Sequence, residues 1–184
     1  MGNSKLFTPV TFGPLTLRNR TIRSAAFESM CPGNAPSDML LDYHRSVAAG
    51  GIGMTTVAYA AVTRSGLSFD RQLWMRPEII PGLRELTDAI HAEGAAAGIQ
   101  LGHCGNMSHK SICGCTPVGA SGGFNLYSPT FVRGLRADEL PEMARAYGRS
   151  VNLAREAGFD AVEIHAGHGY LISQFLSPST NHRK

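Results

Sequence analysis

One pattern recurs four times along this chain and constrains its folding more than any other feature. An apolar, strand-like run is followed by a polar or glycine-rich stretch and then by an amphipathic helix closed with glycine. The first strand is predicted over residues 20–26, within "NRTIRSAAF". A loop with Pro32, Gly33 and Pro36 leads to a helix from Asp38 to Ala49, whose Met39, Leu40, Tyr43 and Val47 share one face. Gly50 and Gly51 stop that helix, because glycine enters the left-handed conformation that a helix end often needs. The second strand runs from Ile52 through "GMTTVAYAAV", and its helix spans Ile80 to Glu93 with Leu83, Leu86 and Ile90 apolar and Gly94 as the stop. The third strand is "AAAGIQL", residues 95–101, trailed by a long loop rich in glycine, serine and cysteine that reaches Arg136. Asp138 is predicted to cap the next helix, which carries Met143, Tyr147, Val151 and Ala154 on one side and ends at Gly158. The fourth strand is "AVEIH", residues 161–165, and another helix begins near Leu171.

Strand followed by helix, repeated, predicts an α/β architecture with a parallel sheet. In such folds the loops after the carboxyl ends of the strands carry the chemistry. The unusual residues of this chain cluster there, at 24–27, 58–63, 100–105 and 165–170. A doubly wound sheet and a (β/α)8 TIM barrel both accommodate four units. Side chains alternate along a strand, so Val162 and Ile164 share the face expected to pack under helices, while Glu163 and His165 share the other. A polar face suits a barrel interior better than the helix layer of an open sheet, and no G-x-G-x-x-G turn follows any of the strands. The barrel is therefore the expected fold, with only its first four units present. A complete barrel typically takes about 250 residues, whereas this sequence has 184. Two expectations follow: the chain is the N-terminal half of a longer protein, or it self-associates to hide its open sheet edges.

Composition narrows the function classes. With 43% hydrophobic and 17% charged residues the chain reads as globular. Its net charge of +3 includes no run of five basic residues, which argues against nucleic acid as a partner. There is no apolar stretch of about 18 residues and no signal-peptide pattern, so a membrane partner is not expected and a cytoplasmic location is. The cysteines at 31, 104, 113 and 115 are too few and too unevenly spaced for a disulfide scaffold, and are expected to be reduced.

The densest chemistry lies in "AVEIHAGHGYLISQF", where His165, His168 and Tyr170 fall within six positions at a strand end. Two imidazoles and a phenol can bind a metal, act as acid and base, or donate hydrogen bonds to an oxygen that gains negative charge. They can also merely satisfy backbone groups. Gly167 and Gly169 flank His168, let the chain turn sharply and leave space above the strand ends for a planar ligand. Tyr170 is protonated at neutral pH and competent as a proton donor. A second group, His103, Cys104, His109, Cys113 and Cys115, offers soft-metal ligands, although C-x-C is not the usual zinc spacing.

The stretch "EIHAGHGYLISQFLSPSTNHRK" resembles the strand-four signature of the Old Yellow Enzyme-like NADH:flavin oxidoreductases, E-I-H-x-x-H-G-Y-L-x-x-Q-F-L-S-P-x-x-N-x-R. "LFTPVTFGPLTLRNR", "AAGGIGMTTVAYAAV" and "GIQLGHCGN" add to the likeness, which covers essentially the whole chain. The resemblance implies an FMN-dependent (β/α)8 barrel that reduces electron-poor alkenes with NAD(P)H, residues 1–184 being the N-terminal part of one domain. It implies that His165 and His168 hydrogen-bond the substrate oxygen, that hydride comes from flavin N5, and that Tyr170 protonates the α-carbon. It also implies that Ser24, Ala25, Ala26, Ala58, Gln100 and His165 lie against the flavin. Phe27 departs from the family, which commonly has a hydroxyl or thiol there to tune the flavin. The family's phosphate grip and a catalytic-site arginine belong to segments after Lys184. The competing expectations are a truncated, non-catalytic half-barrel and a metal-binding module using residues 103–115.

Overall fold

The computed structural model describes residues 4–184. The chain opens with a hairpin of β1 (Val10–Phe12) and β2 (Leu15–Leu17), in which Val10 faces Leu17. It was not expected, because three-residue strands are too short to show a period. The main sheet has four parallel strands in the order β3 (Ile22–Arg23), β4 (Met54–Ala61), β5 (Ala96–Gly102) and β9 (Ala161–Ile164). Between its strands run α1 (Asp38–Ala49), α2 (Ile80–Ala92) and α4 (Leu140–Glu156), and α5 (Leu171–Leu176) follows β9.

The first strand is shorter than its sequence predicts, and the cause is local. Ile22 and Arg23 pair with Met54 and Thr55, but the next β4 backbone groups are taken by side chains. Arg23 Nη1 donates to the Thr56 carbonyl at 2.7 Å, and the Glu28 carboxylate accepts from the Ala58 N–H at 3.1 Å. With those ladder positions occupied, residues 24–31 leave the sheet as a loop along its carboxyl edge.

Ser37 caps α1 by accepting from the Leu40 N–H at 3.3 Å. Leu40, His44 and Ala48, spaced one turn apart, form its buried stripe. Tyr43 and Val47 flank that stripe, whereas Met39 is 58% exposed and does not share the inner face as expected. In α2 the apolar positions are as predicted, with Leu83, Leu86 and Ile90 fully buried. Small residues on α4, Ala146, Ser150 and Ala154, let it approach the sheet closely, with Met143, Tyr147 and Val151 alongside. Asp138 does not cap α4. It lies in the 3-10 turn Ala137–Glu139, where Glu139 accepts from the Arg136 N–H at 2.7 Å and Asp138 pairs outward with Arg136.

The core lies between these three helices and the sheet. Ala97, Ile99 and Leu101 of β5 point into it, while Gly98 and Gln100 point to the opposite face. Val162 packs against the same core, but Ile164 is 44% exposed. The helix after β9, α5, packs on Val118 and Leu135 through Leu171.

The long loop after β5 contains more order than its composition suggests. It holds α3 (Lys110–Cys113) and a three-stranded sheet in the order β6 (Val118–Gly119), β8 (Thr130–Gly134) and β7 (Gly123–Asn125). No helix among the described residues is long and apolar enough to cross a membrane.

Candidate active site

A cleft of about 250 Å³ opens at the carboxyl ends of β3, β4, β5 and β9. Ala25, Ala26, Ala58, Gln100, His165, His168 and Tyr170 line it, while Ser24 is exposed and lies outside the lining. One wall consists of side chains that stop at Cβ, from Ala25, Ala26 and Ala58. A register irregularity in β4 between Val57 and Ala60 turns Ala58 and Tyr59 toward the cleft instead of into the regular alternation.

A polar network that the sequence reading missed meets the same lining at Glu28. Glu28, whose side chain is 6% exposed, pairs with Arg23 at 2.8 Å and with His44 Nε2 at 3.1 Å. Its second oxygen holds the Ala58 N–H. On its other edge, His44 Nδ1 meets the Thr55 hydroxyl at 2.8 Å. Each buried polar group thus has a partner, and Ala58 is tied to the loop that forms the floor. An isolated glutamate after a run of small residues carries no periodic signal, so only the fold reveals its role.

Gln100 presents its amide along the polar face of the sheet and donates to Glu163 Oε1 at 2.5 Å. The two residues face each other directly across β5 and β9. His165, next but one along β9's line, is 8% exposed. Its Nε2 lies 3.1 Å from His168 Nδ1. His168 has φ of 56°, a left-handed conformation uncommon for a residue with a Cβ, and Gly169 follows at 68°. This turn brings the two rings together, and their centroids are 4.9 Å apart. The Gln174 amide, 2% exposed, secures the turn by donating to the Gly169 carbonyl at 2.7 Å and to Asn106 Oδ1 at 2.8 Å.

Tyr170 completes the cluster, with its ring centred 5.0 Å from His165 and 5.4 Å from Tyr59. The Tyr59 hydroxyl is tethered to the Gly66 carbonyl at 2.6 Å. Burial lifts the Tyr170 phenol above its ordinary range, so it stays protonated at neutral pH. Burial, and then the neighbouring His168, lower the His165 pKa, which favours its neutral form. One N–H between the facing nitrogens joins the two rings, its position set by their tautomers. An oxygen inserted between Nε2 of His165 and Nδ1 of His168 could accept from both. Phe27 is exposed and packs on Phe69, with centroids 4.6 Å apart, so it contributes an aromatic edge and no hydrogen bond.

The five side chains considered as metal ligands do not converge. His103 is fully buried, accepts from the Gly105 N–H through Nδ1 at 2.9 Å and meets Ser65 Oγ through Nε2 at 3.0 Å. Cys104 donates to the Leu67 carbonyl, and His109 caps α3. Only Cys113 and Cys115 adjoin, and among the described residues no three His, Cys, Asp or Glu side chains group as a metal site.

The sequence profile of the NADH:flavin oxidoreductase / NADH oxidase family matches residues 5–184. A 4,4'-dithiodibutanoate disulfide reductase from Rhodococcus erythropolis is 43% identical over 178 residues, which is 97% of this chain and 44% of that protein. An NADPH dehydrogenase from Listeria monocytogenes is 38% identical over 98% of this chain and 54% of its own length. The solved structure of an old yellow enzyme homologue from Zymomonas mobilis superposes with a TM-score of 0.89 at 28% identity, over 98% of this chain and 53% of that one. The chain therefore spans about half the length of the curated relatives it matches.

Proposed function

This chain belongs to the NADH:flavin oxidoreductase / NADH oxidase family, and from that premise we propose that it holds FMN in the cleft and reduces electron-poor alkenes at the expense of NAD(P)H. We read its sheet as the first four strands of a (β/α)8 barrel, with residues 1–184 the N-terminal part of one FMN-binding domain. The observation that carries the proposal is that His165, His168 and Tyr170 line one cleft together with Ala25, Ala26, Ala58 and Gln100.

The residues present fit a flavin ring. Side chains that end at Cβ permit a planar heteroaromatic to lie flat, and Gln100 can hydrogen-bond the polar edge of such a ring. Ser24 borders this wall from outside the lining and contributes backbone. When bound, the flavin supplies hydride, which no amino-acid side chain can. His165 and His168 part to donate to the carbonyl oxygen of the alkene substrate, and they stabilise the negative charge that develops there. Tyr170 then gives its phenolic proton to the α-carbon. Glu28 and Arg23 act through Ala58 by holding the floor in place.

A second acceptor deserves testing in the same cleft, since the Rhodococcus relative is named for reduction of a disulfide. The decisive experiment is anaerobic. The purified protein is titrated with FMN and followed by quenching of flavin fluorescence, then bleached with NADPH and mixed with cyclohexenone or with a linear disulfide. Recovery of flavin absorbance with cyclohexenone supports the alkene reading, and recovery with the disulfide alone supports the second. Absence of flavin binding by the protein, tested both as this chain and as any longer product of its gene, would remove both readings.

A further inference from the structure

Away from the cleft, Cys113 and Cys115 form a pair that the flavin reading does not use. Cys113 is the last residue of α3 and is 1% exposed, whereas Cys115 is exposed. Gly114 between them has φ of 72°, and its N–H closes the helix on the Lys110 carbonyl at 2.9 Å. This left-handed step folds the chain back so that the Cys115 Sγ lies 3.6 Å from the Cys113 Sγ. The Cys113 thiol also donates to the Cys115 carbonyl at 3.2 Å, which keeps its sulfur beneath its neighbour. A Cβ on Gly114 would come within 3.1 Å of the Arg64 guanidinium, so a cation lies against the turn. Cys115 borders a cleft of about 620 Å³ that Thr63, Ser65 and Arg133 also line, space enough for a small ligand.

We infer that Cys113 and Cys115 form a dithiol site for thiol–disulfide exchange, which takes small linear disulfides and closes to an intramolecular disulfide. Cys115 is the attacking residue because it is the exposed one, and Cys113 is the resolving residue. The Cys115 thiolate attacks one sulfur of RSSR, forming a Cys115–S–S–R bond and releasing RS⁻, which takes a proton from water. Cys113 loses its proton to water and attacks the Cys115 sulfur, and the second RS⁻ leaves. Two protein thiols are thereby oxidised by two electrons and one RSSR is reduced to two RSH. A sulfur separation of 3.6 Å must shrink to a bond of about 2.05 Å, a movement that the exposed Cys115 side of the turn can supply. Burial raises the Cys115 pKa, with Arg64 and Arg133 acting in the opposite direction, so the exchange accelerates in alkaline buffer.

The test needs neither flavin nor NAD(P)H, so its failure leaves the function proposed above untouched. Folded protein is incubated with glutathione disulfide in mildly alkaline buffer, quenched in acid, unfolded, alkylated and digested with trypsin. Residues 111–133 form one tryptic peptide that carries both thiols and no other cysteine. The expected peptide is two hydrogens lighter than the dithiol and resists alkylation until reduced, while Cys31 and Cys104 are alkylated as free thiols. Cys113→Ser is expected to stop at one glutathione per chain on Cys115, and Cys115→Ser to give neither adduct nor bridge. A wild-type peptide that remains a dithiol, or that retains glutathione on Cys115 as Cys113→Ser does, would overturn the inference.

Discussion

Nε2 of His165 and Nδ1 of His168 stand 3.1 Å apart, so each ring presents one polar edge to the other. Burial is the larger cause of the lowered His165 pKa and His168 the smaller. Replacing His168 with alanine is therefore expected to move the His165 titration midpoint upward, toward the ordinary imidazole value of about 6.5. Imidazole carbon–proton NMR across pH 4 to 8 reads this directly. An unchanged midpoint would mean that burial alone sets it.

Tyr170 touches the site through its phenol only, and Phe preserves its ring contacts with His165 and Tyr59. Tyr170→Phe is expected to slow re-oxidation of the reduced protein by an enone roughly 100-fold or more, the usual scale of a lost general acid. Reduction by NADPH is expected to stay within about twofold. Stopped-flow absorbance separates the two half-reactions, and equal loss in both would rule out a proton-donor role.

Glu28 sits between Arg23, His44 and the Ala58 N–H. Glu28→Gln keeps an acceptor for Ala58 but leaves the Arg23 guanidinium, whose side chain is only 14% exposed, without its counter-charge. A loss of roughly 3 kcal/mol in urea unfolding is expected, together with weaker FMN binding as the floor loosens. Full stability in this variant would show that the network is dispensable.

Gly102 ends β5 against the Tyr59 ring, and a Cβ there would overlap that ring. Gly102→Ala is expected to cost about 1–3 kcal/mol and to displace Tyr59 from Tyr170. Thermal unfolding measures the first effect, and the Tyr170 NMR shifts report the second.

His103 has its pKa lowered to about 4 by burial. The folded state keeps this ring neutral, whereas the unfolded chain takes up a proton below about pH 6.5. Its neutral state therefore contributes stability above pH 6.5, and this is lost progressively as pH falls from there toward 4. Urea midpoints at pH 7 and pH 5 are expected to differ by less in His103→Gln than in the wild type. An identical pH dependence would assign the acid sensitivity to other groups.

Long periodic elements were legible in the sequence, and short or side-chain-directed ones were not. Leu83, Leu86 and Ile90 repeat at helical spacing and bury as that spacing requires. The face of α1 was misjudged at Met39 because His44, a polar residue, takes the inner position through its bonds to Thr55 and Glu28. The first strand was read as too long because no local pattern reveals that Arg23 and Glu28 occupy backbone groups of β4. The sheet after α3 escaped because its strands are two to five residues long. At the site, His165, His168 and Tyr170 of the quoted motif line one cleft, while the parts played by Glu28, Tyr59 and Gln174 emerge only from tertiary contacts.

The positive φ of His168 makes position 168 a conformational filter. Asparagine, aspartate and glycine enter this backbone region with little penalty, whereas valine or isoleucine meets steric resistance before any chemistry is considered. Of the tolerated residues, asparagine alone also offers a neutral N–H donor. A randomised library at this position, selected for catalysis, would accordingly converge on histidine and asparagine, so that backbone shape narrows the accessible chemistry as firmly as the reaction does.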